Sequence, residues 1–182
     1  KGNENKIVIK GQRKDDVEVV TKNNELKIRM KFSKLLKGDD VSVTLYYKGI
    51  IDQVDASEGA RVASQDIFKA TAFAISAKEG AEVKLNLDVK KLNSKANSGG
   101  ILNIEGKSDN HDVSITSGGI LKGKSFTTKQ TSVSISAGGE AEVFATEFVD
   151  ARTKAGGRID VYGNPPQVNK KTFAGGDINI KN

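Results

Sequence analysis

The 182-residue sequence has no cysteine, no tryptophan, one methionine, one histidine and two prolines, and aromatic residues make up only 5% of it. Without cysteine there is neither a disulfide framework nor a thiolate metal site, and bridges give no clue to the redox compartment. A single histidine lacks the partners that a metal centre or a catalytic pair requires, and no Ser/His/Asp set or metal-ligand spacing presents itself. The sequence therefore offers no catalytic residues, no metal ligands and no cofactor motif. No stretch approaches the roughly 20 consecutive apolar residues of a membrane span, and none has the charged-then-apolar pattern of a signal peptide. A soluble chain is expected, and its abrupt opening at Lys1-Gly2-Asn3 is compatible with a removed leader. The 29 basic and 23 acidic residues, formally +6, are interspersed rather than gathered on one face. That pattern argues against nucleic acid as a partner.

What the sequence does have is glycine, 19 residues of it, set in a repeat. Seven short apolar stretches recur at intervals of 18 to 21 residues, and Ala60, Ala81, Leu102, Leu121, Ala141, Ile159 and Ile178 read as equivalent positions. Two residues further on stand Val62, Val83, Ile104, Gly123, Val143, Val161 and Ile180. A second alternating pair precedes several of these anchors: Phe73 and Ile75, Val113 and Ile115, Val133 and Ile135, Ala151 and Thr153. Period-two alternation buries one face of a strand, and a period near 20 residues marks a solenoid in which each unit is one coil. Five units open on a glycine pair, from Ser98-Gly99-Gly100 to Ala174-Gly175-Gly176. Such pairs suit sharp corners, where positive φ is needed and stacked backbones leave little room for a Cβ. A phosphate cradle would open onto a helix and occur once; here a strand follows, and the pair recurs.

The expected fold is all-β: a right-handed parallel β-helix with about 20 residues per coil, the handedness following that of crossovers between parallel strands. Residues 1–182 read as one domain, with seven regular coils over 56–182. Residues 1–55 form an irregular strand-rich portion, either degenerate coils or a cap. Strand signals there cover Lys6 to Lys10, Val17 to Thr21, Leu26 to Phe32 and Val41 to Tyr47, with turns at Asn23-Asn24 and Lys37-Gly38-Asp39-Asp40.

The repeated corners of the form Ser/Ala-Gly-Gly-x-(Ile/Leu/Ala)-x-(Val/Ile), and the stretch Gly156-Gly157-Arg158-Ile159-Asp160-Val161-Tyr162-Gly163-Asn164-Pro165, resemble a bacterial family. It is the family described as putative auto-transporter adhesin, head GIN domain. The resemblance covers most of the chain. It implies a right-handed parallel β-helix from an exported protein, often of Bacteroidetes, displayed or anchored outside the cytoplasm, and it brings no catalytic residues. Glu58-Gly59 and Glu79-Gly80 depart from the double-glycine corner, which on this reading changes the corner and leaves the alignment intact.

If the anchors point inward, the residues three further on form an outward column: Ala63, Lys84, Glu105, Lys124, Phe144, Tyr162 and Lys181. Lys84, Glu105 and Lys124 alternate in sign, as stacked surface charges do for stability alone. Phe144 and Tyr162 fall on adjacent coils, flanked by Lys124 and Lys181, and make the candidate ligand site. An aromatic face with polar groups around it stacks on a sugar ring or anchors a protein, although a covered cross-strand pair has the same signature. Asp15-Asp16 and Asp39-Asp40 read as turns, and Asp109-Asn110-His111-Asp112 as a solvated loop; Glu147, Asp150 and Arg152 have no mechanistic spacing. The sequence points to a non-catalytic exported binding or structural module that contacts glycan or surface protein. A carbohydrate-active β-helix enzyme is the alternative, as is a scaffold that self-assembles through its coil ends.

Overall fold

In the first 49 residues turn chemistry sets the layout. The structure is a computed structural model that describes residues 1–31 and 41–181. Unit one, Lys1–Gly49, holds β1 (Lys6–Lys10), a 3₁₀ turn at Lys14–Asp16, β2 (Val17–Lys22), β3 (Glu25–Met30) and β4 (Ser42–Tyr46). Asn23 and Asn24, with φ of 50° and 63°, make the two-residue connection that folds β2 back on β3, and asparagine tolerates that left-handed region better than most residues. β1 pairs antiparallel with β4. Asp15-Asp16 falls in the 3₁₀ turn, and the turn expected at Lys37-Gly38-Asp39-Asp40 lies outside the described residues.

Unit two, Ile50–Asn182, is built of β5 (Gln53–Ala56), β6 (Arg61–Lys78), β7 (Glu82–Asn97), β8 (Ile101–Thr116), β9 (Ile120–Ser136), β10 (Glu140–Thr153), β11 (Arg158–Tyr162), β12 (Gln167–Thr172) and β13 (Asp177–Ile180). Every strand pairing in it is parallel, so the architecture is the β-solenoid expected, about seven turns of roughly 19 residues.

The corners are tight turns of consecutive positive-φ residues, two in Ser98 (48°) and Gly99 (73°) or Ser117 (49°) and Gly118 (74°), and three in Ala137–Gly139 and Ala174–Gly176. The turn is closed by a backbone bond, Gly100 N–H to Asn97 C=O at 2.9 Å. Corners also bond to one another, because the Gly80 amide donates to Ser98 C=O at 3.1 Å and the Gly99 amide to Ser117 C=O at 3.2 Å. The two glycines of a pair serve different ends. Gly99 supplies positive φ in open space, whereas a Cβ on Gly100 would stand 2.1 Å from the Ala77 carbonyl oxygen.

This geometry corrects the register of the first coils. Val62 pairs with Val83, Val83 with Leu102, Leu102 with Leu121, Leu121 with Ala141, Ala141 with Ile159 and Ile159 with Ile178. The column from Leu102 onward is the one read from the sequence; Ala60 and Ala81 belong two residues before it. Glu58-Gly59 (57°, 71°) and Glu79-Gly80 (55°, 72°) have the same corner conformation as Ser98-Gly99. Ala60 and Ala81 therefore occupy the site of the second glycine, and the corner is kept while the alignment moves.

Inward columns of aliphatic side chains form the core. Val83, Leu85, Leu87, Leu92, Leu102, Ile104, Ile115, Leu121, Ile135, Ile159 and Val161 are at most 2% exposed, each buried large side chain contributing about 1.5–3 kcal/mol. A coil buries its inner face only against the coils on either side. Among the described residues no helix is long and apolar enough to cross a membrane.

Candidate functional site

Register places Phe144 of β10 directly beside Tyr162 of β11, and both rings are half-buried on the outer face of the sheet. Three features hold them. The Thr128 hydroxyl donates to the Phe144 carbonyl at 2.7 Å, which pins the backbone under the first ring. Gly163, at φ 89°, lies so close to that ring that a Cβ there would stand 2.7 Å from Phe144 Cε1. The Lys124 ammonium sits 4.7 Å from the centroid of the Tyr162 ring, a cation–π contact contributing about 0.5–1 kcal/mol at an exposed site.

Lys124 arrives there by an irregularity. β9 and β10 pair in register at Lys122–Glu142, and pairing resumes at Thr127–Phe144. Residues 123–126 therefore bulge against the single residue Val143. In the bulge Phe126 turns inward, 1% exposed, while Lys124 is exposed and reaches across Phe144's row to Tyr162. The outward column expected from the sequence is thus changed at its start. Lys84 pairs with Asn103 and Glu105 with Asn86, so Lys84, Glu105 and Lys124 do not form a charge ladder. Phe144, Tyr162 and Lys124 are brought together. Lys181 leans away, its amide bonded to Val161 C=O at 2.8 Å and its ammonium 3.9 Å from Asp160 Oδ1.

Asp160 is outward in the strand pattern yet 5% exposed. Arg158 Nη2 donates to Oδ2 at 2.7 Å and Asn179 Nδ2 to Oδ1 at 3.0 Å. Burial alone would raise its pKa, but these two hydrogen bonds and the charges of Arg158 and Lys181 hold the carboxyl below its usual range. Asn179 and Lys181 come from the last coil, so this carboxylate ties β13 to β11. Sequence alternation placed Asp160 outward without showing that partners from the next coil would close over it. A second ladder crosses three coils: Asp109 stands 2.9 Å from Lys129 Nζ and 3.4 Å from Lys90 Nζ. The hydrogen bond from Lys129 is the main cause of its lowered pKa.

Asp109-Asn110-His111-Asp112, expected as a solvated loop, lies within β8. His111 is 2% exposed, its Nε2 2.8 Å from Ser94 Oγ and its ring edge-on to Phe126 at 5.3 Å. Its inward position continues the alternation of Val113 and Ile115, and that step back along the strand is the signal that would have found it. Burial lowers its pKa to about 3, the Asp112 charge opposing. Ser94 is 1% exposed, so this serine–histidine contact is sealed from substrate and serves packing. Among the described residues no three His, Asp or Glu side chains are grouped to hold a metal ion.

Residues 1–165 match the family described as putative auto-transporter adhesin, head GIN domain. No curated protein matches the chain. Solved structures share the fold at low identity. A putative adhesin of Bacteroides fragilis superposes with a TM-score of 0.85 at 18% identity, over 98% of this chain and 83% of that one. A putative lipid binding protein of Parabacteroides distasonis gives 0.72 at 16% identity, over 97% and 84%. A putative adhesin of Parabacteroides merdae gives 0.65 at 19% identity, over 97% and 83%. The extent of the family match settles the classification: the chain belongs to the head GIN domain family.

Proposed function

We propose that this member of the head GIN domain family is a non-catalytic binding module that works outside the cytoplasm. Its contact surface for a glycan or a surface protein is the Phe144–Tyr162 pair, with Lys124 over the Tyr162 ring and Lys181 on the next coil, turned toward Asp160. The observation that carries this reading is the pair itself: two half-buried aromatic rings in register on neighbouring coils, one of them under an ammonium group. Flat rings fixed on a rigid sheet give contact area at little entropic cost. The family description, and the names of the B. fragilis and P. merdae neighbours, support a protein that holds rather than converts its partner. The sealed Ser94–His111 contact agrees with that role.

The test is a glycan and surface-protein binding array run beside a turnover assay on the same preparation. Phe144→Ala, Tyr162→Ala is expected to weaken binding at least tenfold, a loss of about 1.4 kcal/mol or more. Phe144→Leu, Tyr162→Leu keeps apolar bulk and controls for folding. Unchanged binding in both double variants, or turnover of any bound glycan, overturns the reading.

A further inference from the structure

Four residues back along β10 and β11 from the aromatic pair, about 13 Å away, a trough of about 550 Å³ runs across the last four coils. One wall is a single register column, Ile120 of β9, Glu140 of β10, Arg158 of β11 and Asp177 of β13. Its floor is backbone, because the corner glycines carry no side chain. A Cβ on Gly118 or Gly156 would meet no heavy atom within 4 Å, so these two leave the trough open, whereas a Cβ on Gly139 or Gly157 would point into the core at Ile115 or Ile135.

The wall repeats at the coil spacing of about 4.8 Å and alternates in chemistry. Glu140 and Asp177 are exposed acceptors; the Glu140 carboxylate bears on the Arg158 guanidinium by charge alone. Between them the Arg158 guanidinium uses Nη2 on Asp160 and keeps other N–H groups free to donate. Ile120 adds an apolar patch at one end. The trough lies within the size range of ligand sites, about 300–1,000 Å³.

The geometry points to this trough as a second binding site, one that takes an extended, neutral, hydroxyl-rich chain: a linear glycan. Sugar hydroxyls both donate and accept, which suits an acceptor–donor–acceptor row. A peptide fits less well, since the floor offers no strand edge. The Glu140, Arg158 and Asp177 amides already donate to Gly119, Gly139 and Gly157 at 3.0, 3.0 and 2.9 Å. A polyanion is disfavoured by a wall carrying two carboxylates to one guanidinium. In the first coils the equivalent column begins Arg61–Glu82, whose charges lie 3.8 Å apart and satisfy each other. The site is separate from Phe144 and Tyr162 and does not rest on their role.

Amide NMR spectra of the whole chain, titrated to millimolar levels with cellopentaose, xylopentaose and mannopentaose, test it. Tetragalacturonate and a Gly-Ser decapeptide serve as comparison ligands. At least one neutral oligosaccharide is expected to shift the Gly139, Gly157 and Gly176 signals saturably. Glu140→Ala, Asp177→Ala should weaken that binding at least tenfold, and Phe144→Ala, Tyr162→Ala should change it by less than twofold. The proposal falls if no neutral oligosaccharide moves those signals, if tetragalacturonate or the peptide is the ligand that does, or if the shifts centre on Phe144 and Tyr162. The last result would leave the aromatic-site reading standing, whereas loss of that reading alone would leave trough binding intact.

Discussion

Acidification from pH 7 to 4.5 is expected to weaken the solenoid through one ring. His111 is buried against Ser94 and Phe126, and burial, opposed by the Asp112 charge, brings its pKa to about 3. In the unfolded chain the same group titrates near 6.5. A base whose folded pKa is depressed contributes fully above the unfolded value, and the contribution is lost as pH falls from 6.5 toward 3. At about 1.4 kcal/mol per unit, the two units between 6.5 and 4.5 cost about 3 kcal/mol. That is a large share of a typical domain stability of about 5–15 kcal/mol. Urea unfolding followed by far-UV circular dichroism measures it at both pH values. The comparison protein is Ser94→Ala, His111→Leu, which removes both polar partners and should be near neutral at pH 7. Asp109 and Asp160, whose pKa values are lowered, stay charged at pH 4.5 and lose their contribution only at lower pH. Wild type should therefore lose about 3 kcal/mol more than the double variant over this interval. Equal losses in the two proteins would refute the reasoning.

Two further outcomes follow from the corner and from the last coil. Gly99→Ala has open space and meets only the strain of positive φ, about 1 kcal/mol. Gly100→Ala drives a methyl into the Ala77 carbonyl and should cost about 3 kcal/mol; equal urea midpoints for the two variants would contradict the division of labour within the pair. Asp160→Ala leaves Asn179 and Lys181 without their carboxylate. It should lower hydrogen-exchange protection of the amides of the last coil, including Lys181, and leave that of Ile120 unchanged, a global loss of protection being the contrary result.

The solenoid was legible because its two periods, two residues within a strand and about 20 between coils, are imposed by backbone geometry and leave a trace in apolar spacing. Register was legible only where the corner looked the same in each unit. The recurrence of apolar residues aligned Ala81 with Leu102, whereas the backbone aligns Glu79 with Ser98, because both hold left-handed φ, of 55° and 48°. His111 was hidden by composition, its acidic and amide neighbours reading as a loop although the alternation through Val113 and Ile115 runs straight through it. The adjacency of Phe144 and Tyr162 was readable, since both belong to the part of the column where the repeat is regular. Lys124 meets Tyr162 by way of a bulge, and a bulge depends on how Phe126 packs against His111 three-dimensionally, which no local spacing encodes.

Everything said of the outer surface depends on which residues stand one coil apart, and the absence of native cysteine makes that directly measurable. Lys84 and Asn103 are register partners on the outer face, placing their Cα atoms about 4.8 Å apart, within disulfide reach. Glu105 is two residues out of register and stands about 8 Å from Lys84, beyond that reach. Under mild oxidation Lys84→Cys, Asn103→Cys should close a bridge, seen as loss of free thiol and a cross-linked peptide, and Lys84→Cys, Glu105→Cys should keep both thiols. The opposite pattern would contradict the stacking on which the account rests.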